Sequence, residues 1–270
     1  MEQSIHEQLL RFSEKHLPPY LQWWLKLPFL VKILSRILCL EEILRLRDRL
    51  EDKHNYELLH ELVKYSGMTF NVRNIEKVPS GGRLLIVANH PLGGADWILM
   101  VECLSAVRKD IKVVINKDVN TLIVNMRDLF IPVDQYASFN DLARKNIGES
   151  LEREEAVILY PSGAISILTC KGVRDRSWKN GAVRFSREHH TDILPVYIGG
   201  RFRLIFYLYP IRLRRFLLVR NMLHPTFKKV DLVIGDRVSY RDLMDETDLS
   251  LISLRLREMT YRLKEELNNV

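Results

Sequence analysis

From residue 83 to residue 234 the chain repeats one pattern, a short apolar run followed by a longer stretch of helical spacing. The runs are RLLIVA (83–88), IKVVIN (111–116), LFIPV (129–133), AVILY (156–160), ILPVYI (193–198) and DLVI (231–234). Helical spacing lies between several of them, at 96–108, 138–153 and 178–190. A strand that is apolar at nearly every position has no face for water, so helices must cover both sides of its sheet. The pattern predicts an α/β fold, a mostly parallel sheet flanked by helices. At 47% hydrophobic residues the chain can fill such a core. No fixed-period repeat or low-complexity tract points to another architecture.

Upstream of the first run, strong helix formers dominate LEEILRLRDRLEDKHNYELLHELVKYSG (40–67), with Gly67 as a stop. Residues 1–68 therefore read as a helical N-terminal extension and 69–270 as the α/β domain. The latter closes on a helix at 249–267, with Leu251, Leu254, Leu256, Met259 and Leu263 at its apolar positions.

The net charge of +7 suits an anionic partner: nucleic acid, anionic lipid or an acidic carrier protein. Two basic-apolar stretches favour lipid. In PPYLQWWLKLPFLVKILSRILCL (18–40), Gln22, Lys26, Lys32 and Arg36 share a third of the helical circumference, and Trp23, Trp24 and aliphatic residues hold much of the rest. That segment fits either a bilayer interface or an amphipathic helix packed on the core. In RFRLIFYLYPIRLRRFLLVR (201–220), arginines interleave with Phe, Tyr, Leu and Ile. A nucleic-acid patch carries less exposed aliphatic surface, so no nucleic-acid partner is expected. The polar, acid-containing start is not a secretory signal, and no apolar run reaches the length of a membrane span. Cys39, Cys103 and Cys170 form no metal or disulfide spacing and suit a reducing compartment. A peripheral position on the cytoplasmic face of a membrane, with no transmembrane helix, is the expectation.

The octapeptide NHPLGGAD (89–96) is the chemically loaded segment. Its preceding strand delivers Asn89 and His90 to the carboxyl edge, where open α/β sheets bind ligands. Pro91 keeps His90 out of helical geometry, and Gly93 and Gly94 allow positive φ and close approach to another molecule. Asp96 is placed to cap the following helix, and a compact loop can also fold its carboxylate back onto the imidazole. That contact would fix the tautomer of His90 and stabilise the imidazolium formed when the ring takes a proton.

These residues resemble the lysophospholipid acyltransferase superfamily, whose signature is a histidine and an aspartate separated by four residues. NHPLGGAD has five between them and is closer to the hemolysin-like branch with H-P-x-G-G-x-D, which includes acyltransferases of ornithine and glycine lipids. RDLFIPVD (127–134), LYPSGAIS (159–166) and ILPVYIGG (193–200) resemble the second, third and fourth family blocks, and Asp175 and Trp178 match an Asp-x-x-Trp of the branch. The resemblance implies a glycerol-phosphate-acyltransferase-like fold. It also implies a lyso-lipid acceptor and an acyl thioester donor, either acyl-ACP or acyl-CoA, with no bound cofactor.

Acyl transfer from a thioester needs a base but no enzyme nucleophile. His90 is that base and Asp96 its orienting partner, as in a Ser-His-Asp triad whose hydroxyl belongs to the substrate. Backbone N–H groups of Gly93-Gly94 or Ser162-Gly163 would face the oxyanion. Asn89, Gly93, Gly94, Ser162 and Gly163 are the expected substrate contacts, with Ser162 and Asp175 each open to a plain turn role. The third block lacks the family's Glu and Arg, having Ser162-Gly163-Ala164-Ile165 instead. Lys171, Arg174 or Arg176 would then supply the headgroup cation, or the acceptor is not a glycerol phosphate. Cys170 has no partner to make it a nucleophile and is expected to be buried. His189 and His190 point to different helix faces, so no metal is expected. The rivals are a lysophosphatidate acyltransferase, a catalytically silent lipid-binding protein and a nucleic-acid module.

Overall fold

The computed structural model describes residues 39–117, 123–133, 141–209, 211–227 and 229–267, with Phe29 and Arg36 as isolated positions. The rest of the 18–40 stretch, and Asp134 of the second block, lie outside the described residues. Helices α1 (Leu40–Arg49) and α2 (Asn55–Ser66) lead into strand β1 (Thr69–Arg73). Strand β2 (Leu84–Ala88) is followed by α3 (Gly94–Leu104), β3 (Ile111–Asn116), β4 (Phe130–Val133), α4 (Asp141–Glu152) and β5 (Ala156–Leu159). A hairpin of β6 (Ile167–Thr169) and β7 (Gly172–Arg174) precedes α5 (Gly181–Glu188) and β8 (Ile193–Gly199). After a single helical turn at Ile205–Leu208 come α6 (Ile211–Leu223), β9 (Lys229–Ile234) and α7 (Leu249–Arg262).

Seven strands form one sheet in the order β1-β9-β8-β2-β5-β3-β4, with every neighbouring pair parallel except β8 and β9. The mostly parallel sheet read from the apolar runs is present. β2, at its centre, is buried at every position. Its side chains alternate between two cores. Leu84, Ile86 and Ala88 join one cluster with residues of α1, α2, α3 and α6. Leu85 and Val87 join the other, with residues of α4, α5 and α7. Helices α1 and α2 thus bury Leu46, Leu50, Leu58, Leu59 and Val63 in the same core as the sheet.

The first, third and fourth family-like blocks end β2, β5 and β8, three adjacent parallel strands, so their carboxyl ends converge. The second block is β4, at the edge of the sheet beyond β5 and β3. α7 differs in detail from expectation. Ile252 and Leu256 are its buried apolar residues, whereas Leu254 and Met259 face solvent, because the helix lies on the sheet along one narrow side only. No helix among the described residues is long and apolar enough to cross a membrane.

Candidate active site

His90 leaves the end of β2 with its backbone held on both sides. Its N–H donates to Asp175 Oδ1 at 3.1 Å, and its carbonyl accepts from the Ser166 N–H at 2.8 Å. The imidazole Nδ1 lies 2.8 Å from Asp96 Oδ2, with the His90 side chain 18% exposed and the Asp96 carboxylate fully buried. Nε2 has no partner among the described residues. The six-residue gap that would separate the pair on a helix is closed by the Pro91–Gly93 bend, so the two predicted residues meet.

Asp96 does not cap the helix. α3 starts at Gly94, with Gly93 as its cap and no side-chain cap bond, which places Asp96 inside the first turn. Its Oδ2 instead accepts from the Leu92 N–H at 2.9 Å, locking the loop as well as the ring. Burial raises the Asp96 carboxyl above its ordinary value, opposed by the His90 imidazole and the Leu92 N–H. Oδ1 of Asp96 is buried without a partner among the described residues.

The glycines differ from expectation in what approaches them. Gly93 has φ +64°, as foreseen, but a Cβ there would stand 2.9 Å from Leu218 Cδ2 of α6. A Cβ on Gly94 would meet Met222 Sδ at 2.6 Å. What lies against both glycines is the chain's own helix α6, with Ile165 also 3.2 Å from where a Gly93 Cβ would stand.

Asn89, expected beside the substrate, spends its amide on the backbone of β8. Nδ2 donates to Ile198 O at 2.9 Å and Oδ1 accepts from Ile198 N at 2.7 Å, in a side chain 2% exposed. It extends the β2–β8 ladder by one side-chain rung. Ser162 Oγ donates to Ala164 O at 2.6 Å, and Gly163 N–H donates to Tyr160 O at 2.9 Å, so both serve the turn. The Gly163 amide is therefore committed and does not face an oxyanion.

Of the three expected cations, Arg174 is paired with Glu258 at 3.1 Å and stacks over the Tyr261 ring, while Lys171 and Arg176 are exposed. Lys179, a fourth cation without a sequence motif to mark it, has its Nζ 3.1 Å from where a Gly163 Cβ would stand. Its signal was available only through the fold, since Lys179 N–H donates to Pro161 O at 2.9 Å and so lays this segment along the third block.

Asp175 and one further residue, Tyr160, complete the surroundings of His90. Asp175 is buried and binds three neighbours: the His90 N–H, the Ser166 hydroxyl and, at 2.9 Å, Trp178 Nε1. Tyr160 stacks on the imidazole, ring centroids 4.3 Å apart and planes 25° from parallel. The family-like Asp-x-x-Trp signalled the first; nothing in sequence signalled the stack.

Cys170 is exposed, contrary to expectation, because it sits at the tip of the β6–β7 hairpin. His189 packs on Phe185 and His190 on Tyr240. Cys39, Glu42 and His224 bring donor atoms within 4.8 Å of one another, with His224 Nε2 2.6 Å from Glu42 Oε2.

A family profile described as Acyltransferase matches residues 14–237. A lyso-glycine lipid O-acyltransferase of Bacteroides thetaiotaomicron is 28% identical over 182 residues, 66% of each chain. One of the same name from Phocaeicola vulgatus is 25% identical over 182 residues, 66% of this chain and 64% of that one. The chain thus aligns with slightly under two thirds of the length of these relatives. The crystal structure of the 1-acyl-sn-glycerophosphate (LPA) acyltransferase PlsC from Thermotoga maritima is similar in fold, with a TM-score of 0.53 and 19% identity, over 90% of this chain and 93% of that one. The profile spans the dyad loop, the Tyr160 turn and all of the central strands, and the chain belongs to the acyltransferase family within the lysophospholipid acyltransferase superfamily.

Proposed function

We propose that this protein transfers a fatty acyl group from a thioester, acyl-ACP or acyl-CoA, to the hydroxyl of a lyso-lipid with an amino-acid headgroup. The observation that carries the reading is the 2.8 Å contact between His90 Nδ1 and Asp96 Oδ2, which leaves Nε2 as the ring's available base. Nε2 takes the proton of the acceptor hydroxyl as its oxygen attacks the thioester carbonyl. The tetrahedral intermediate collapses by breaking the C–S bond, and the imidazolium returns the proton to the departing thiolate. The buried Asp96 carboxylate fixes the tautomer and stabilises the transient imidazolium. A thioester is already activated, so these steps call for no resident cofactor.

The amino-acid headgroup is supported by the names of the two relatives and by the third block, which has no arginine for a phosphate. With Arg174 tied to Glu258, the exposed Lys171 and Arg176, and Lys179 over Gly163, are cations among the described residues that a carboxylate headgroup can use. The site works at a membrane surface, with anionic lipid as partner and the enzyme held peripherally on the cytoplasmic face. The membrane contact is supported by the exposed Leu204, Ile205 and Leu208 beside the exposed Arg201 and Arg203.

Purified protein given labelled acyl-CoA or acyl-ACP, with lyso-glycine lipid or lysophosphatidate as acceptor, and products read by mass spectrometry, tests the reading. Acylated glycine lipid is expected, with His90→Ala and Asp96→Asn each losing turnover by about a hundredfold or more while circular dichroism is unchanged. Acylation of lysophosphatidate alone would overturn the headgroup, and wild-type turnover in His90→Ala would overturn the mechanism.

A further inference from the structure

The hydrogen bond at Nδ1 holds one edge of the imidazole, and small torsional tilts of the ring remain open within that bond's tolerance. The plane is fixed from the neighbouring strand. β5 pairs with β2 in the register Ile86 to Ile158 and Val87 to Leu159, so the residue that follows β5, Tyr160, emerges beside the end of β2 and its ring lies against His90. The Tyr160 backbone is in turn held by the Gly163 N–H at 2.9 Å. Its hydroxyl is buried with no partner among the described residues, so packing of the ring, and no hydrogen bond, sets its orientation. Burial holds the phenol well above its ordinary value, so it adds no charge beside the dyad.

We propose that Tyr160 is a positioning residue of the dyad, a flat wall that keeps the His90 ring turned so that Nε2 meets the acceptor hydroxyl. The inference rests on His90 as the base. Misplacing a catalytic group by about 1 Å can cost two orders of magnitude in rate, so the loss should fall on kcat.

The test compares Tyr160→Phe, which keeps the ring, with Tyr160→Leu, which removes it. The Phe variant should stay close to the wild-type kcat. The Leu variant should lose about tenfold to a hundredfold in kcat with little change in acceptor KM. Wild-type kcat in Tyr160→Leu, a loss confined to KM, or an equal loss in Tyr160→Phe would each overturn the proposal. Independently of how the Tyr160 variants fold, the wild-type NMR spectrum should show a nuclear Overhauser contact between His90 Hε1, assigned by its disappearance in His90→Gln, and the Tyr160 ring protons. Absence of that contact also overturns it. A His90→Gln enzyme that still turns over would sink the base assignment and leave the Overhauser contact standing. A dead His90→Gln beside a fully active Tyr160→Leu would sink the present inference alone.

Discussion

Gly93 stands at φ +64° with two side chains already against it, Leu218 at 2.9 Å and Ile165 at 3.2 Å from the position a Cβ would take. A methyl there meets both backbone strain and contact. Gly93→Ala should therefore cost about 1–3 kcal/mol of stability, read as a lower urea midpoint, and should lower turnover by shifting the Leu92–Asp96 bond. An unchanged midpoint would mean that α6 does not press on the loop. The sequence made the His-Pro-x-Gly-Gly-x-Asp segment legible, along with the meeting of His90 and Asp96 and the positive φ. It did not make legible that α6 covers the glycines, because that contact joins segments far apart in the chain. Tyr160 was hidden for the same reason: its partner lies on another strand, and a Tyr at a strand end reads as core.

The stretch 201–220 divides at the level of elements. Phe202, Phe206 and Tyr207 turn inward, while Leu204, Ile205 and Leu208 are exposed, Leu208 at 78%. Arg214 caps the same turn by donating to Tyr207 O and Tyr209 O, each at 2.7 Å. An apolar knuckle with arginines beside it fits the boundary between headgroups and acyl chains. Burying a leucine-sized side chain is worth about 1.5–3 kcal/mol, so Ile205→Asp with Leu208→Asp should weaken sedimentation with anionic vesicles by about tenfold or more. Neither side chain supports the core, so the melting temperature should hold. Undiminished vesicle binding would remove this turn from the membrane contact. Composition predicted a basic-aliphatic surface here, but which residues face out depends on a turn that periodicity does not reveal. β1 escaped prediction too, since TFNVR is partly exposed and polar at Asn71, without the all-apolar run that marked the inner strands. The β6–β7 hairpin is too short to show a period at all.

Across the whole molecule, Arg108 ties three segments together. Its buried guanidinium donates to Asp110 Oδ1 at 2.7 Å and Oδ2 at 2.6 Å, and to the carbonyls of Pro79, Gly82 and Glu154. Burial pushes the Asp110 carboxyl up, but the Arg108 hydrogen bonds and charge outweigh it and hold the group below its ordinary value. A carboxyl depressed in the folded state stabilises the fold above its unfolded pKa and loses that contribution as pH falls through the folded value. The Asp110 side chain is 40% exposed, so water screens the pair. Asp110→Asn should therefore cost no more than about 1 kcal/mol at neutral pH, with the gap to wild type closing below about pH 4. Urea titrations at both pH values check it, and a gap independent of pH would contradict the pairing. The sheet order itself followed from the apolar runs only as far as "mostly parallel"; the reversal between β8 and β9 depends on the long excursion through α6.

Asp175, which grips the back of His90, is itself gripped by α7. Its N–H donates to the Tyr261 hydroxyl and its carbonyl accepts from Arg257, each at 2.7 Å. A chain still emerging from the ribosome carries its histidine and aspartate early, but the brace behind them comes only with residues 257 and 261. A chain that lacks that helix should therefore hold its histidine loosely and transfer acyl groups poorly.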